Sequence, residues 1–339
     1  MSGRAGADGK PRRTLPWGEL PRPQWPADSA SPSGLIVIDK PAGVTSHDVV
    51  GAVRRLADTR KVGHAGTLDP MATGVLCIGV GRATKLLQYV TGTDKEYTAT
   101  IRFGIETTSD DADGQITARR GVGDLPEDLC EIRQRLTQAM GELRGDIAQV
   151  PSAVSAVKVA GRRSYDLVRA GEGVELEART VHVESFDMVS APRQTTAEGV
   201  AVIDADVRVV CGAGTYVRAL ARDMGNRLGC GAHLTALRRV RVGPWRSDDA
   251  YEIPTLVKLI AGGGALPLVS IDDLCRDLFP GIEIDVTEAA ALRHGQFIPG
   301  QQRTAVPVAG PAAAFCQGNV VALVSRRGGL LKPDLLLQP

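Results

Sequence analysis

The stretch Gly63-His64-Ala65-Gly66-Thr67-Leu68-Asp69-Pro70-Met71-Ala72-Thr73-Gly74 sets a histidine, an aspartate and three glycines close together. Glycines let a backbone approach a ligand closely, and the proline after Asp69 biases that residue away from the helical region, restricting how its carboxylate projects. Carboxylate chemistry is one reading. An ordinary turn is the other, because Asp-Pro often opens turns, and spacing alone favours it. A second constellation, Cys211-Gly212-Ala213-Gly214-Thr215-Tyr216-Val217-Arg218, places an aromatic and a cation at a helix start just after a strand. An arginine there can pair with a carboxylate, although the macrodipole does not favour a cation at that end and most arginines simply face solvent. The third element is basic: Leu237-Arg238-Arg239-Val240-Arg241 and Trp245-Arg246, with Lys158, Arg162 and Arg163 upstream. Such a run binds phosphates or lies on a solvated face.

Other chemistries fail on spacing. Gly79-Val80-Gly81-Arg82-Ala83-Thr84-Lys85 has no glycine directly before its lysine, so it lacks the phosphate-loop pattern and reads as a strand-to-helix turn. A nucleotide-dependent enzyme built on that loop is the weakest idea. Aligning Ser109–Gly114 as a calcium loop puts Arg120 where a bidentate glutamate belongs, so this acidic stretch reads as a solvated turn. The five histidines show no zinc-hydrolase spacing, and the six cysteines are scattered without a C-x-x-C pair. They read as small core residues, with no metal.

Elements must hold these groups in place. The 339 residues, with 43% apolar and 23% charged side chains, suit two globular domains and a tail. A formal charge of +1 excludes nucleic-acid coating by bulk charge and leaves room only for a local patch. With no apolar run long enough to span a bilayer and no signal-peptide core at the start, the expectation is a soluble cytoplasmic protein. Residues 1–33, rich in proline, glycine, serine and arginine, read as a disordered tail in which Trp17 and Trp25 are incidental. The first strand is Leu35–Ile38. A helix then starts near Ser46 as its cap, with Val49, Val50, Val53 and Leu56 on one face. Strands follow at 75–80, 96–103, 180–189 and 200–211, with an amphipathic helix marked by Leu129, Ile132, Leu136, Met140 and Leu143, and another from Tyr216, capped by Thr215 and ended by Gly229. The three glycines at 262–264 mark a boundary between a unit at 34–260 and a smaller one at 267–339, which has a helix over 287–294 and hairpin turns at Gly318-Asn319 and Gly328-Gly329. No fixed repeat period is present, so a solenoid or propeller is not expected.

Taken together, these motifs resemble the TruB family of tRNA pseudouridine synthases. Lys40-Pro41-Ala42-Gly43-Val44-Thr45-Ser46 looks like the family's first motif, Gly63 to Leu76 like the one carrying its catalytic aspartate, and Lys95-Glu96-Tyr97 like the strand with its active-site tyrosine. GTYVR at 214–218 and AHLTALRR at 232–239 follow in family order, and Gln149 to Lys158 is similar to the QxPPxxSAxK segment, with Ser152 and Val154 departing from it. The resemblance covers residues 35 to about 250 and implies an α+β pseudouridine-synthase fold: a mixed, mainly antiparallel sheet flanked by helices, followed by a PUA-like β-rich RNA-binding domain. It implies isomerisation of uridine 55 in the tRNA T loop without a cofactor, through Asp69 with Arg218 as its partner. Tyr97 would stack on the uracil, with positioning favoured over a role as base at C5 because a phenol is a poor base unless its pKa is lowered; Tyr216 and Leu237 would line the pocket, and His64 would fill the gap left by the base or hold the loop open. Lys40 and the arginines near 238 would contact phosphates. A monomer acting on the T arm is expected. The alternative is a non-catalytic tRNA-folding chaperone or RNA-binding module in which Asp69 is dispensable.

Overall fold

The computed structural model describes residues 15–21, 23, 32–154, 176–301 and 303–337, with the backbone of 158–159 and 162–163. The side chains of Lys158, Arg162 and Arg163 lie outside the described residues. Strands β1 (Gly34–Lys40), β2 (Val62–Ala65), β3 (Thr73–Val80) and β4 (Lys95–Phe103) come first, then a ribbon of β5 (Ile105–Thr107) and β6 (Ile116–Arg119). After β7 (Gly145–Gln149) and the two-residue pair β8 (Lys158–Val159) and β9 (Arg162–Arg163) come β10 (Arg179–Met188), β11 (Arg193–Ala197), β12 (Val200–Cys211), β13 (Ala232–Val242) and β14 (Trp245–Arg246). The main sheet runs β1-β3-β13-β4-β12-β10-β7, with β2, β11 and β14 attached beside that path. Its pairings are antiparallel except β13 with β3, where Arg238 faces Thr73 and Arg239 faces Gly74 in parallel. The expected mixed, mainly antiparallel sheet is therefore what forms.

Period-two alternation assigns the faces. On β4, Tyr97, Ala99, Ile101 and Phe103 are buried while Thr98, Thr100 and Arg102 between them are only half-buried. The buried face packs under α1 (Ser46–Leu56), α3 (Leu129–Gly141), α4 (Val217–Arg227) and α5 (Ile253–Ala261), in one core with Val49, Val53, Leu136 and Leu220. At the β1–β3 end the opposite face, carrying Leu35, Val37, Val75 and Cys77, is covered by a 3₁₀ turn over Gly81–Leu86, by α2 (Leu87–Gly92), and by the C-terminal unit. That unit is a helix α6 (Ile271–Leu278), a helix α7 (Val286–Arg293) and a sheet β15-β17-β18-β19-β16, formed by β15 (Gly281–Glu283), β16 (Ile298–Pro299), β17 (Ala312–Cys316), β18 (Asn319–Arg327) and β19 (Leu330–Leu336). The second hairpin turns at Gly328-Gly329 as expected, while the first turns at Gln317-Gly318, one residue before the expected Gly318-Asn319, with Gln317, Gly318 and Gly328 at positive φ.

Several local readings change. Thr45, not Ser46, caps α1, through a reciprocal capping box with Asp48, and Ser46 is buried. Helix α4 has no side-chain cap from Thr215; its capping position is Tyr216, held in another way described below. Leu129 is an exposed large apolar residue rather than core, and Cys130 is exposed, whereas Cys77, Cys211, Cys230 and Cys275 are buried as expected. Trp17 is not incidental: it is 7% exposed within the main core, and the same short segment is tied to α1 by the hydrogen bond from Arg55 Nε to the Leu20 carbonyl.

One glycine controls the sheet beside the site. Gly74 has φ of +98°, and a Cβ there would lie 2.1 Å from the Arg239 carbonyl oxygen across the parallel pairing. Gly74→Ala forces β3 off β13, and we expect it to cost on the order of 3 kcal/mol, read as a lowered urea midpoint at unchanged slope.

Candidate active site

The loop that carries Asp69 is clamped from behind. The Ser46 hydroxyl donates to the Leu68 carbonyl at 3.0 Å and accepts from the Leu68 amide at 2.9 Å, while the Gly43 amide and the Lys40 ammonium both donate to the Pro70 carbonyl, at 2.8 and 3.2 Å. Lys40 also donates to the carbonyls of Val44 at 2.7 Å and Pro41 at 3.0 Å. All three protons of the ammonium are thus assigned, and its side chain is fully buried. Burial pushes it down to about 8, with Asp69 pulling the other way. Lys40 is therefore corrected from a phosphate contact to a loop anchor. Lys40→Met should lower the melting temperature by several degrees, equivalent to about 2–4 kcal/mol, yet leave the salt dependence of RNA binding unchanged; a phosphate contact would reduce that slope by about one.

Asp69 meets Arg218 at the mouth of a cavity of about 240 Å³. Arg218 Nε lies 2.9 Å from Asp69 Oδ2 and Nη2 donates to Oδ1 at 3.1 Å, a two-toothed pair that aims the carboxylate. The guanidinium is 3% exposed and the aspartate side chain 35%, so the arginine is buried while the carboxylate opens to the cavity. Desolvation pushes the Asp69 carboxyl up from its usual value; Arg218 pulls it back and the negative charge of Asp111 adds to the rise.

Arg218 is fixed on its far side by the Ser109–Gly114 stretch, a support with Ser109 and Asp111 buried and not the solvated turn its acidic sequence suggests. Its Nη1 donates to the Ser109 carbonyl at 2.8 Å and lies 3.5 Å from Asp111 Oδ2. Asp111 is 3% exposed, holds the Ser109 hydroxyl and the Asp113 amide, and its carbonyl accepts from Thr107 Oγ1 at 2.7 Å. The start of α4 is secured by Gln149 of β7, whose amide nitrogen donates to the Tyr216 carbonyl at 3.1 Å and whose amide oxygen accepts from the Tyr216 N–H at 2.8 Å. The sequence places Asp111 in a turn and Gln149 in a family-like segment but marks neither as a support for Arg218 or the start of α4, because those partners lie far along the chain.

The remaining expected residues divide. Tyr97 on β4, Leu237 on β13 and Tyr216 line the same cavity as Asp69 and Arg218. Burial raises the Tyr97 phenol, which therefore suits positioning rather than proton abstraction at neutral pH. His64, on β2, is not among the cavity's lining residues; its ring stands edge-on to His47 at 5.5 Å, and burial pushes it down to about 4, so it is neutral at pH 7. The basic run is also reassigned. Arg238 makes two bonds to Asp39, of 2.9 and 2.7 Å, Arg241 pairs with Glu96 at 3.2 Å, and Arg239 is buried, donating to the carbonyls of Val75 and Gly66. These side chains are committed to the protein rather than spread as a phosphate strip. Lys95, Thr67 and Thr91 join the lining without having been singled out.

The family model described as "TruB family pseudouridylate synthase (N terminal domain)" matches residues 54–217, and two C-terminal models, of tRNA pseudouridylate synthase B and of tRNA pseudouridine synthase II, match 218–262 and 279–335. A tRNA pseudouridine synthase B of Paenarthrobacter aurescens is 47% identical over 91% of this chain and 96% of that protein. The chain belongs to the TruB family. A second relative of the same name, from Mycobacteroides abscessus, is 46% identical over 92% of this chain and 98% of its own length. Among solved structures, a Cbf5-Nop10-Gar1 complex contains a chain with TM-score 0.65 and 25% identity, covering 96% of this chain and 92% of that one. This TruB-family protein is thus an isomerase that acts on tRNA uridine, and the non-catalytic alternative is not favoured. Among the described residues no helix is long and apolar enough to cross a membrane.

Proposed function

We propose that the target is uridine 55 in the T loop, and that Asp69 is the group that reacts. The observation that carries this reading is the half-open carboxylate, gripped at both oxygens by buried Arg218, facing a cavity walled by Tyr97 and Leu237. Isomerisation breaks the N1–C1′ bond, turns the base while it stays bound, and joins C5 to C1′. No outside atom is required. A carboxylate serves either by adding to the ribose or base covalently or by removing a ribose proton, and both need it ionised and aimed. Arg218 does both. Tyr97 packs on the uracil and Tyr216 and Leu237 close the pocket around it. The target base is stacked within its loop, so it must be flipped out at a cost of a few kcal/mol. His64, uncharged and partly buried, fills the space it leaves. The C-terminal sheet serves as an RNA-binding, PUA-like module on the back of the catalytic unit, and the protein works as a cytoplasmic monomer without cofactor.

The test uses a T-arm stem-loop tritiated at C5 of uridine 55. The wild type should release tritium from it and not from a stem-loop whose tritiated uridine lies in the stem. Release from both, or from neither, would overturn the T-loop assignment.

A further inference from the structure

Lys95 and Arg239 enter the Asp69 cavity without an ion-pair partner among the described residues. Lys95 is 6% exposed and Arg239 1%, and among the described residues neither has a carboxylate within ion-pair distance, whereas their neighbours Arg218, Arg238 and Arg241 all do. The two side chains converge: a Cβ built on Gly66 would lie 3.5 Å from Arg239 Nη1 and 3.8 Å from Lys95 Cε. Their donors are only partly used. Lys95 Nζ donates to the carbonyls of Thr91, at 2.7 Å, and Thr93, leaving one N–H over, unlike Lys40 with its three carbonyls. Arg239 donates to the carbonyls of Val75 at 2.7 Å and Gly66 at 3.1 Å and retains further N–H groups. Holding two like charges together out of water is unfavourable unless negative charge meets them.

We propose that Lys95 and Arg239 are catalytic residues that receive, on a carbonyl oxygen of the uracil, the negative charge the base carries once its glycosidic bond is broken. The proposal rests on the reading of this cavity as the uridine site. When the C1′–N1 bond breaks, its electron pair leaves with the base, which becomes an anion whose charge is shared by N1 and the ring oxygens. That pair is returned when C5 bonds to C1′; C5 then loses its proton and N1 gains one. The charge exists only between those two events, so donors aimed at it stabilise the intermediate and the transition states beside it more than the bound substrate. A phosphate is the less apt occupant, because both cations sit deep beside Tyr97 rather than on an exposed rim.

The Lys95 ammonium is faced by Arg239 on β13, Cys211 on β12, Cys77 on β3 and Asp94 beside it, and burial pushes it down to about 8. Burial raises the two thiols to about 12 for Cys77 and about 11 for Cys211, so both stay protonated there.

The experiment pairs a side chain with a substrate atom. T-arm stem-loops tritiated at C5 of the target, with uridine, 2-thiouridine or 4-thiouridine at that position, are turned over once by the wild type and by Lys95→Met. Sulfur accepts hydrogen bonds poorly, and its intrinsic effect on reactivity cancels between the two enzymes. On uridine, Lys95→Met should lose about 100-fold in single-turnover rate, and at one of the two positions the oxygen-to-sulfur rate ratio should fall by about tenfold relative to the wild type. Equal ratios at both positions overturn the proposal, as does weaker RNA affinity at an unchanged single-turnover rate, the mark of a phosphate grip. Should Lys95→Met fail to fold, Lys95→Arg decides: the wild-type rate should fall above about pH 8 and that limb should vanish in the variant, while an unmoved limb overturns the proposal. A wild type that releases no tritium counts against the T-loop reading, not this one.

Discussion

Asp69→Asn is expected to suppress tritium release from the T-arm substrate by at least about 10⁴-fold while changing RNA affinity by less than about threefold. The substitution keeps the shape and one acceptor oxygen, so Arg218 still has a partner, and Asp111 at 3.5 Å remains to balance its charge. What disappears is the carboxylate that adds to carbon or takes a proton. Affinity is carried by the wider RNA surface, and so it stays. The pH dependence follows from the same carboxyl. Only the ionised form reacts, and burial raises the group above its ordinary value of 3.8 despite Arg218. The single-turnover rate is therefore flat above the folded-state pKa and falls tenfold per pH unit below it, with the fall beginning at a higher pH than an exposed aspartate would give. Arg218→Lys, which replaces a two-toothed grip by a point charge, should lower the plateau and move that limb higher still.

What the sequence made legible is what depends on short spacing or on a family motif. The strands betray themselves by alternation, as on β4, and Asp69, Tyr97, Tyr216, Arg218 and Leu237 do converge on one cavity. What remained hidden depends on pairing across the chain. Ser109 and Arg218 are 109 positions apart, so nothing local marks the Ser109–Gly114 turn as the wall behind the arginine. The same holds for Gln149, whose amide replaces a helix cap 67 positions away. Charge was misleading for a related reason. Arg238 and Arg241 look like an RNA-binding run only until Asp39 and Glu96 are brought beside them, and Lys40 looks exposed only until three carbonyls close on it. Trp17 shows the converse: a composition that cannot fold alone still contributes an aromatic to a core made by others.

Asp111→Asn carries the second large effect, and it separates positioning from mere support. Asp111 is not among the residues that line the cavity; it acts through Arg218, which is, and whose Nη1 lies 3.5 Å from its carboxylate. Asparagine can keep its one oxygen on the Ser109 hydroxyl and the Asp113 amide, which turns its NH2 group toward Arg218, so the turn should hold and the melting temperature should change little. Removing the charge does two things to Asp69. It leaves the guanidinium with a single anionic partner, which tightens its hold on the catalytic carboxylate, and it deletes a nearby negative charge that makes Asp69 harder to ionise. Both changes lower the Asp69 pKa, so the acid limb of the rate profile moves to lower pH. A carboxylate that gives up its proton more readily is also a weaker nucleophile and a weaker base, so the plateau rate should drop, on the order of tenfold to hundredfold. The two shifts have opposite appearances: at low pH the variant retains a larger share of its own maximum than the wild type, while at neutral pH it is slower. A variant that only loosened the fold would lower the rate at every pH and leave the limb where it was. Measuring single-turnover tritium release across the acid range with both proteins therefore decides whether Asp111 tunes the carboxylate through Arg218 or simply props up the turn.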